Sequence, residues 1–312
     1  MAEFSAEKPC RILSLDGGGA KGFYTLGVLR ELEGLLGARL YERFDLIFGT
    51  STGAIIAALL SLGHSVDEIH GLYKEHVPRI MQKKTSHEKS AALAELSAEV
   101  FGDLMCDKIK TGIGIVTTRW VQETPMIFKA SVEQAHGRIG TFVPFFGVSV
   151  GEAVQASCSA YPYFNIKTVT TAAGDNVKLI DGGFCANSPA LYAIADAVLA
   201  LKASPEHIRV LSVGVGVYPA PKPRILTKAW ALKFFRCAQL IQKTFEINTQ
   251  SMEQLRAILF KHLPSVRINE TFEKPEMATD LFEHDAEKLN LLRQRGVESY
   301  AKYETDLQKL FS

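Results

Sequence analysis

The decapeptide Phe44-Asp45-Leu46-Ile47-Phe48-Gly49-Thr50-Ser51-Thr52-Gly53 holds a strand, a turn and the start of a helix. Its first half is short and apolar, the pattern of a buried strand. Its second half is Gly-x-Ser-x-Gly, followed at once by the apolar run Ala54-Ile-Ile-Ala-Ala-Leu-Leu60 of a buried helix. A serine between small residues at a strand-to-helix turn can hold a strained backbone angle with its hydroxyl projecting outward. The helix beginning there aims unpaired amides and a positive dipole end at that hydroxyl. Such five-residue patterns also arise by chance at plain turns, so the rest of the chain must supply a chemistry.

Upstream, Arg11-Ile-Leu-Ser-Leu15 reads as a strand. It runs into Asp16-Gly17-Gly18-Gly19-Ala20-Lys21-Gly22 and then a helical pattern with Leu26, Leu29, Leu32 and Leu36 on one side. The resulting β-α-β-α order predicts an α/β fold, a three-layer α/β/α arrangement with a mainly parallel central sheet. Consecutive glycines between strand and helix expose several N–H groups to one point, a nest for a phosphate or a developing oxyanion. A Walker A loop is excluded, because Phe23 follows Lys21-Gly22 where Ser or Thr would hold magnesium. A dinucleotide fingerprint lacks its acid, since Asp45 begins its strand rather than ending it. An oxyanion hole serving Ser51 is the more economical reading, both loops lying at carboxyl ends of consecutive strands.

Further along, Ser65-Val-Asp-Glu68 and Ser149-Val-Gly-Glu152 are capping boxes that open helices. Residues 85–105 read as helix, and Gly112 to Thr118 and Pro125 to Val132 as strands. Asn187-Ser188-Pro189 reads as a helix start with Asn187 as its cap. Ile208 to Gly216 is another buried strand. Pro219, Pro221 and Pro223 then form a stiff connector, after which the chain reads as all-helical. The expectation is a core over 1–218 and a helical cover over 219–312, together one structural domain. Serine needs a base, and among eight histidines only His207, His262 and His284 come late enough in the chain. His207 lies at the wrong end of a strand, and the other two lie in charged helical surroundings. Asp181 is the better candidate. It follows the strand stub Leu179-Ile180 and precedes Gly182-Gly183, and an aspartate can serve as direct base if it is partly desolvated and within reach.

At 312 residues the chain can bury a large core. A formal net charge of +1 gives no global attraction to a nucleic-acid polymer or an anionic membrane. The N-terminus has no apolar h-region, and no stretch approaches the ~18 apolar residues of a membrane span. Five scattered cysteines, without a Cys-x-x-Cys pair, fit reduced thiols in a cytosol rather than a disulfide frame or a zinc site.

Together these residues resemble the patatin-like phospholipases. The match comprises Asp-Gly-Gly-Gly-x-x-Gly at 16–22, Gly-x-Ser-x-Gly at 49–53, Ala156-Ser157 with Ala160 and Pro162, Asp-Gly-Gly at 181–183, and Ala186-Asn187-x-Pro189. The resemblance implies a Ser51–Asp181 dyad, Ser51 as nucleophile and Asp181 as base, with Gly17, Gly18 and Gly19 as oxyanion donors. It implies hydrolysis of a phospholipid acyl ester through an acyl-serine, without a metal. Lys21 stands where many members carry arginine. Gly112 to Trp120, Gln242 to Leu255 and Pro275 to Asp280 further resemble bacterial patatin-like effectors of cyclic-oligonucleotide anti-phage signalling. That narrower likeness implies an activating cyclic dinucleotide such as 3',3'-cGAMP. It also implies a cytoplasmic enzyme acting peripherally at the inner membrane, with self-association left open. The rivals are a constitutive lipid acyl hydrolase or thioesterase of the same fold, and a non-catalytic nucleotide-binding module.

Two surface features add to this. As a helix, Leu226 to Phe245 aligns Leu226, Trp230, Phe234, Cys237, Ile241 and Phe245 in one apolar stripe opposite Lys228, Arg236 and Lys243. That pattern suits either an anionic bilayer surface or packing on the sheet. Arg79, Lys83 and Lys84 form a small basic cluster.

Overall fold

A computed structural model describes residues 9–138, 140–221 and 229–312, with side chains in the last range from residue 239 onward. In chain order the first half runs β1 (Cys10–Leu15), α1 (Gly22–Leu36), α2 (Leu40–Arg43), β2 (Leu46–Thr50), α3 (Thr52–Leu62), α4 (Val66–Met81) and α5 (Ser86–Val100). The middle holds β3 (Gly112–Arg119), β4 (Thr124–Phe128), α6 (Val150–Ser157), β5 (Lys167–Thr170), β6 (Asn176–Asp181), α7 (Gly183–Ala186) and α8 (Ala190–Ala195). The chain ends with β7 (Ile208–Val213), α9 (Ala229–Leu259), β8 (Ser265–Ile268) and α10 (Ala286–Phe311).

The strands form one sheet, in hydrogen-bonded succession β5-β6-β3-β2-β1-β7-β8, with β4 also paired to β3. The pairs among β3, β2, β1, β7 and β8 are parallel, and those of β3 with β4 and β6, and of β5 with β6, are antiparallel. Central strands are apolar on both sides, as a sheet covered twice requires. Leu13, Leu15, Ile47, Leu211 and Val213 face a large core shared with α1, α3, α4, α5 and α10. Their alternates Ile12, Leu46, Phe48, Ile208 and Val210 face a smaller one with Ala193, Ile194 and Ala197. The period of two thus builds the expected three layers.

The pairing of β3 does the positioning. β4 occupies one edge of β3 over Ile115–Arg119. The other edge is therefore shared by two strands in series: β2 along Gly112–Val116, and β6 along Thr117–Arg119. They run toward each other, so the last residue of β2, Thr50 opposite Val116, meets the last of β6, Asp181 opposite Thr117. Two strand ends abut there.

The Ser65–Glu68 capping box forms in both directions, while at Ser149 one half forms, Ser149 Oγ accepting from the Glu152 amide. Thr85 and Glu88 make a further one that the sequence reading passed over. Beyond Tyr218 the expectation of helices throughout needs correction, because β8 lies between the two long helices and extends the sheet beside β7. Its four residues are too short and too polar for a periodic signal. Of the expected stripe, Ile241 and Phe245 pack inward, while the side chains of Leu226, Trp230, Phe234 and Cys237 lie outside the described residues. Among the described residues no helix is long and apolar enough to cross a membrane.

Helix α10 packs along α1 at a glycine crossing. A Cβ on Gly27 would stand 2.1 Å from the Arg293 carbonyl oxygen, and one on Gly296 would stand 2.0 Å from that of Tyr24. Both neighbours are backbone and cannot swing away. Gly296→Val should therefore lower unfolding free energy by about 1–3 kcal/mol, read as a shift of the urea midpoint at unchanged slope, whereas Gly34→Ala, with open space around its Cβ position, should not.

Candidate active site

Ser51 stands at the abutment of the two strands with φ 53° and ψ −122°, a conformation costing ~1–3 kcal/mol for a residue with a side chain. The flanking glycines are demanded by contact: a Cβ on Gly53 would meet the Leu15 carbonyl oxygen at 2.3 Å, and one on Gly49 that of Gly53 at 2.2 Å. The strained backbone is held by Ser157 at the end of α6. The Ser51 amide donates to Ser157 Oγ at 2.9 Å, and that hydroxyl donates to the Val116 carbonyl at 2.6 Å. Ser157 thus ties the turn to β3.

The Ser51 hydroxyl donates to Asp181 Oδ2 at 2.7 Å, across 130 residues of sequence. The other carboxylate oxygen, Oδ1, accepts from the Gly183 amide at 2.7 Å. Asp181 has no solvent exposure. Burial pushes its pKa up to about 7, the two hydrogen bonds pulling the other way without overcoming it. A carboxyl group that titrates near neutrality beside a serine hydroxyl has the properties a general base needs. His207, His262 and His284 are not among the residues lining this site.

The glycine loop needs one correction. The Gly17 amide donates to the Asn187 carbonyl at 3.0 Å, so of the three expected oxyanion donors it is already engaged. The amides of Gly18 and Gly19 have no acceptor among the described residues, and both residues line the cavity that contains Ser51 and Asp181. Asn187, read from sequence as a helix cap, instead donates from Nδ2 to the Gly17 carbonyl at 3.2 Å and to Thr249 Oγ1 at 2.8 Å. It clamps the glycine loop to α9.

The loop's leading Asp16 is buried and paired in a fork with Arg267 of β8, whose Nη1 reaches Asp16 Oδ1 at 2.9 Å and Ser212 Oγ at 2.7 Å. Glu253 of α9 sits 4.0 Å from the same guanidinium, accepts from Ser188 Oγ at 2.7 Å and pairs with Arg256 at 2.8 Å. Burial pushes the Asp16 carboxyl up and Arg267 draws it back. Lys21, also buried, has Glu246 of α9 at 3.9 Å. Sequence reasoning missed Arg267, Glu253 and Glu246. The one available signal was a charged residue inside the alternating Ser265-Val-Arg-Ile268.

Away from the dyad the cavity is apolar. Ile55, Leu59, Val77, Ile80, Leu93 and Leu96 from α3, α4 and α5 line it, together with Phe245, Leu281 and Phe282. Its volume is about 70 Å³, only a few water molecules' worth.

The family pattern described as Patatin-like phospholipase matches residues 13–194, more than half of the chain. The chain belongs to this family. Among individual relatives it is 60% identical over 309 residues to a "cUMP-AMP-activated phospholipase" of Escherichia coli, with 99% of this chain and 96% of that protein aligned. It is 28% identical to a "cGAMP-activated phospholipase" of Pseudomonas aeruginosa over 65% of this chain and 61% of that one. A "Calcium-independent phospholipase A2-gamma" of Rattus norvegicus is 29% identical over 67% of this chain and 28% of its own length. Every motif from Gly17 to Pro189 lies inside the patatin-like match.

Asp181→Asn should keep the fold and cost about 100- to 10,000-fold in ester hydrolysis. The wild-type rate should rise with pH through about 7, where Asp181 loses its proton, and that limb should vanish from the variant's profile. The linkage sign is opposite for stability. With the folded-state pKa above the ordinary value of 3.8, stability is full below about pH 4 and declines as pH rises through about 7. Asp181→Asn should remove that decline in denaturation measured from pH 5 to 8. Separately, Arg267→Met leaves Asp16 buried and unpaired, and should cost about 3–5 kcal/mol; adding Asp16→Asn should restore much of it.

Proposed function

We propose that this chain is a phospholipid acyl hydrolase of phospholipase A type, with Ser51 as nucleophile and Asp181 as its base. The observation that carries the reading is the 2.7 Å Ser51–Asp181 hydrogen bond beside an apolar cavity. Asp181 takes the Ser51 proton as Oγ attacks the acyl carbonyl carbon. Negative charge develops on the carbonyl oxygen, and the free amides of Gly18 and Gly19 are the donors for it, each worth ~3 kcal/mol of barrier when well placed. Collapse breaks the bond to the glycerol oxygen, which leaves with the proton from Asp181, and the acyl group stays on Ser51. Water then gives a proton to Asp181 and attacks the acyl-serine. The fatty acid departs and Ser51 recovers its proton. The apolar wall from α3, α4 and α5 suits an acyl chain, and no step requires a metal.

The activator is a cyclic dinucleotide. The 60% identity along nearly the whole chain is to a protein named for cUMP-AMP, while the relative named for cGAMP is more distant. cUMP-AMP is therefore favoured here over the 3',3'-cGAMP expected from the motifs. A cavity of about 70 Å³ is too small for an acyl chain, so the site must open before turnover, which suits an enzyme that waits for a signal. Such a hydrolase would meet its substrate at a membrane surface from the cytoplasm and contribute to anti-phage defence.

The test is fatty-acid release from phospholipid vesicles by wild type and Ser51→Ala, with and without cUMP-AMP or 3',3'-cGAMP. Release by wild type with cUMP-AMP, and by Ser51→Ala under no condition, is expected. Equal release without nucleotide would remove the activation, and release by Ser51→Ala would remove the nucleophile.

A further inference from the structure

A second cavity, far larger than the one at Ser51, lies at the other end of β6. It measures about 890 Å³, within the ~300–1,000 Å³ range of small-molecule sites. Its walls are the far ends of β3 and β6, the strand β4, and residues from 134–138 and 141–146. Three cations on it, Arg119, Arg138 and Lys178, have no carboxylate within ion-pair distance among the described residues. Arg119 Nε is buried without an acceptor. Asp175 is the one acid on the lining among the described residues, and Asp196, which is not on the lining, pairs with Lys129 and is reached by His136 at 2.7 Å. The cleft is therefore set for an anion of more than one charge.

Two further observations point to a ligand with rings. Gln134 is 1% exposed, and its Nε2 is spent on the Ile113 carbonyl and Asp196, at 3.0 Å each. Its Oε1 has no donor, leaving a buried acceptor on the cavity wall, complementary to a nucleobase N–H. Phe142 and Phe146 are half-buried on the same lining, and aromatic faces stack bases. Phe145, Phe146 and Gly147 stand in succession at φ 51°, 54° and 76°. Two of them carry the strain of a left-handed backbone with a side chain, the kind of cost found at ligand clamps. The segment is pinned by Phe145 N–H to the Lys129 carbonyl and by Ala172 N–H to the Phe146 carbonyl.

We infer that this cleft binds the activating cyclic dinucleotide, its two phosphodiesters toward Arg119, Arg138 and Lys178 and a base edge toward Gln134. The inference rests on the proposed activation and adds its location. The walls also bear on output. Arg119 pairs with Leu179, and the Trp120 amide donates to the Lys178 carbonyl. From there β6 runs three residues, roughly 10 Å, to Asp181, whose carbonyl accepts from Thr118 Oγ1 at 3.0 Å. The strands that wall the cleft are those that place the base.

The test is calorimetric titration of the full chain, without lipid, with cUMP-AMP, 3',3'-cGAMP and glycerophosphoglycerol (the soluble headgroup of an anionic phospholipid). Arg138→Glu/Lys178→Glu changes two exposed side chains, so its thermal melt should match wild type. Wild type should bind cUMP-AMP, and this variant should bind it about tenfold or more weakly. Lys83→Glu/Lys84→Glu, at the other basic cluster, should bind as wild type does. Equal affinity in the cleft variant, or loss in the Lys83/Lys84 variant alone, would overturn the site while leaving activation standing. Failure of wild type to bind either nucleotide would overturn activation itself. Saturable binding of glycerophosphoglycerol alone, lost in the cleft variant, would assign the cleft to lipid.

Discussion

A fully buried carboxylate with no cation in ion-pair distance among the described residues sets the terms for the rest of this molecule. Among the described residues Asp181 has two neutral donors, the Ser51 hydroxyl and the Gly183 amide, and burial outweighs both. Placing such a group needs a backbone that has no choice about its position. The fold supplies one by running β2 and β6 toward each other along a single edge of β3. Serine and aspartate are then the first groups past two meeting strand ends, and Ser157 fastens the junction to the strand they share.

The chain buries a second aspartate and treats it in the opposite way. Asp16 meets a bidentate guanidinium, with Ser212, Glu253 and Arg256 around it. A forked ion pair of this kind fixes orientation more than it adds net stability, and what it orients is the loop carrying the free amides of Gly18 and Gly19. Helix α9 completes the frame through Glu246, Asn248, Thr249 and Glu253, which reach Lys21, the Asn187 amide, the Asn187 side chain and Ser188. The dyad belongs to the first two-thirds of the chain. The frame that holds its surroundings belongs to the last.

That division explains what the sequence disclosed. Ser51, Asp181 and the glycine run sit at strand ends next to residues of unusual backbone demand, and such positions leave local marks. The opening β-α-β-α order is legible because β1 and β2 are apolar on both faces and helices follow directly. The serine capping boxes are legible because cap and partner are three residues apart. Arg267 left almost no mark, since a four-residue edge strand has no period to measure and its partner lies 251 residues away. Asn187 was misread because a side chain that reaches across the fold looks, in sequence, like one that caps its own helix. The engagement of Gly17 was hidden for the same reason, its acceptor being a carbonyl 170 residues on.

The 251-residue span between Asp16 and Arg267 also sets a clock. Ribosomes add about 5–20 residues per second, so the glycine loop of a growing chain waits on the order of ten seconds or more for its guanidinium. During that time Asp16 cannot be buried without heavy cost, and the amides beside it have no fixed direction. A nascent chain already carrying Ser51 and Asp181 therefore lacks the ion pair that orients this loop until β8 has been made. For a member of a phospholipase family, the order of translation itself fixes when this loop can be assembled.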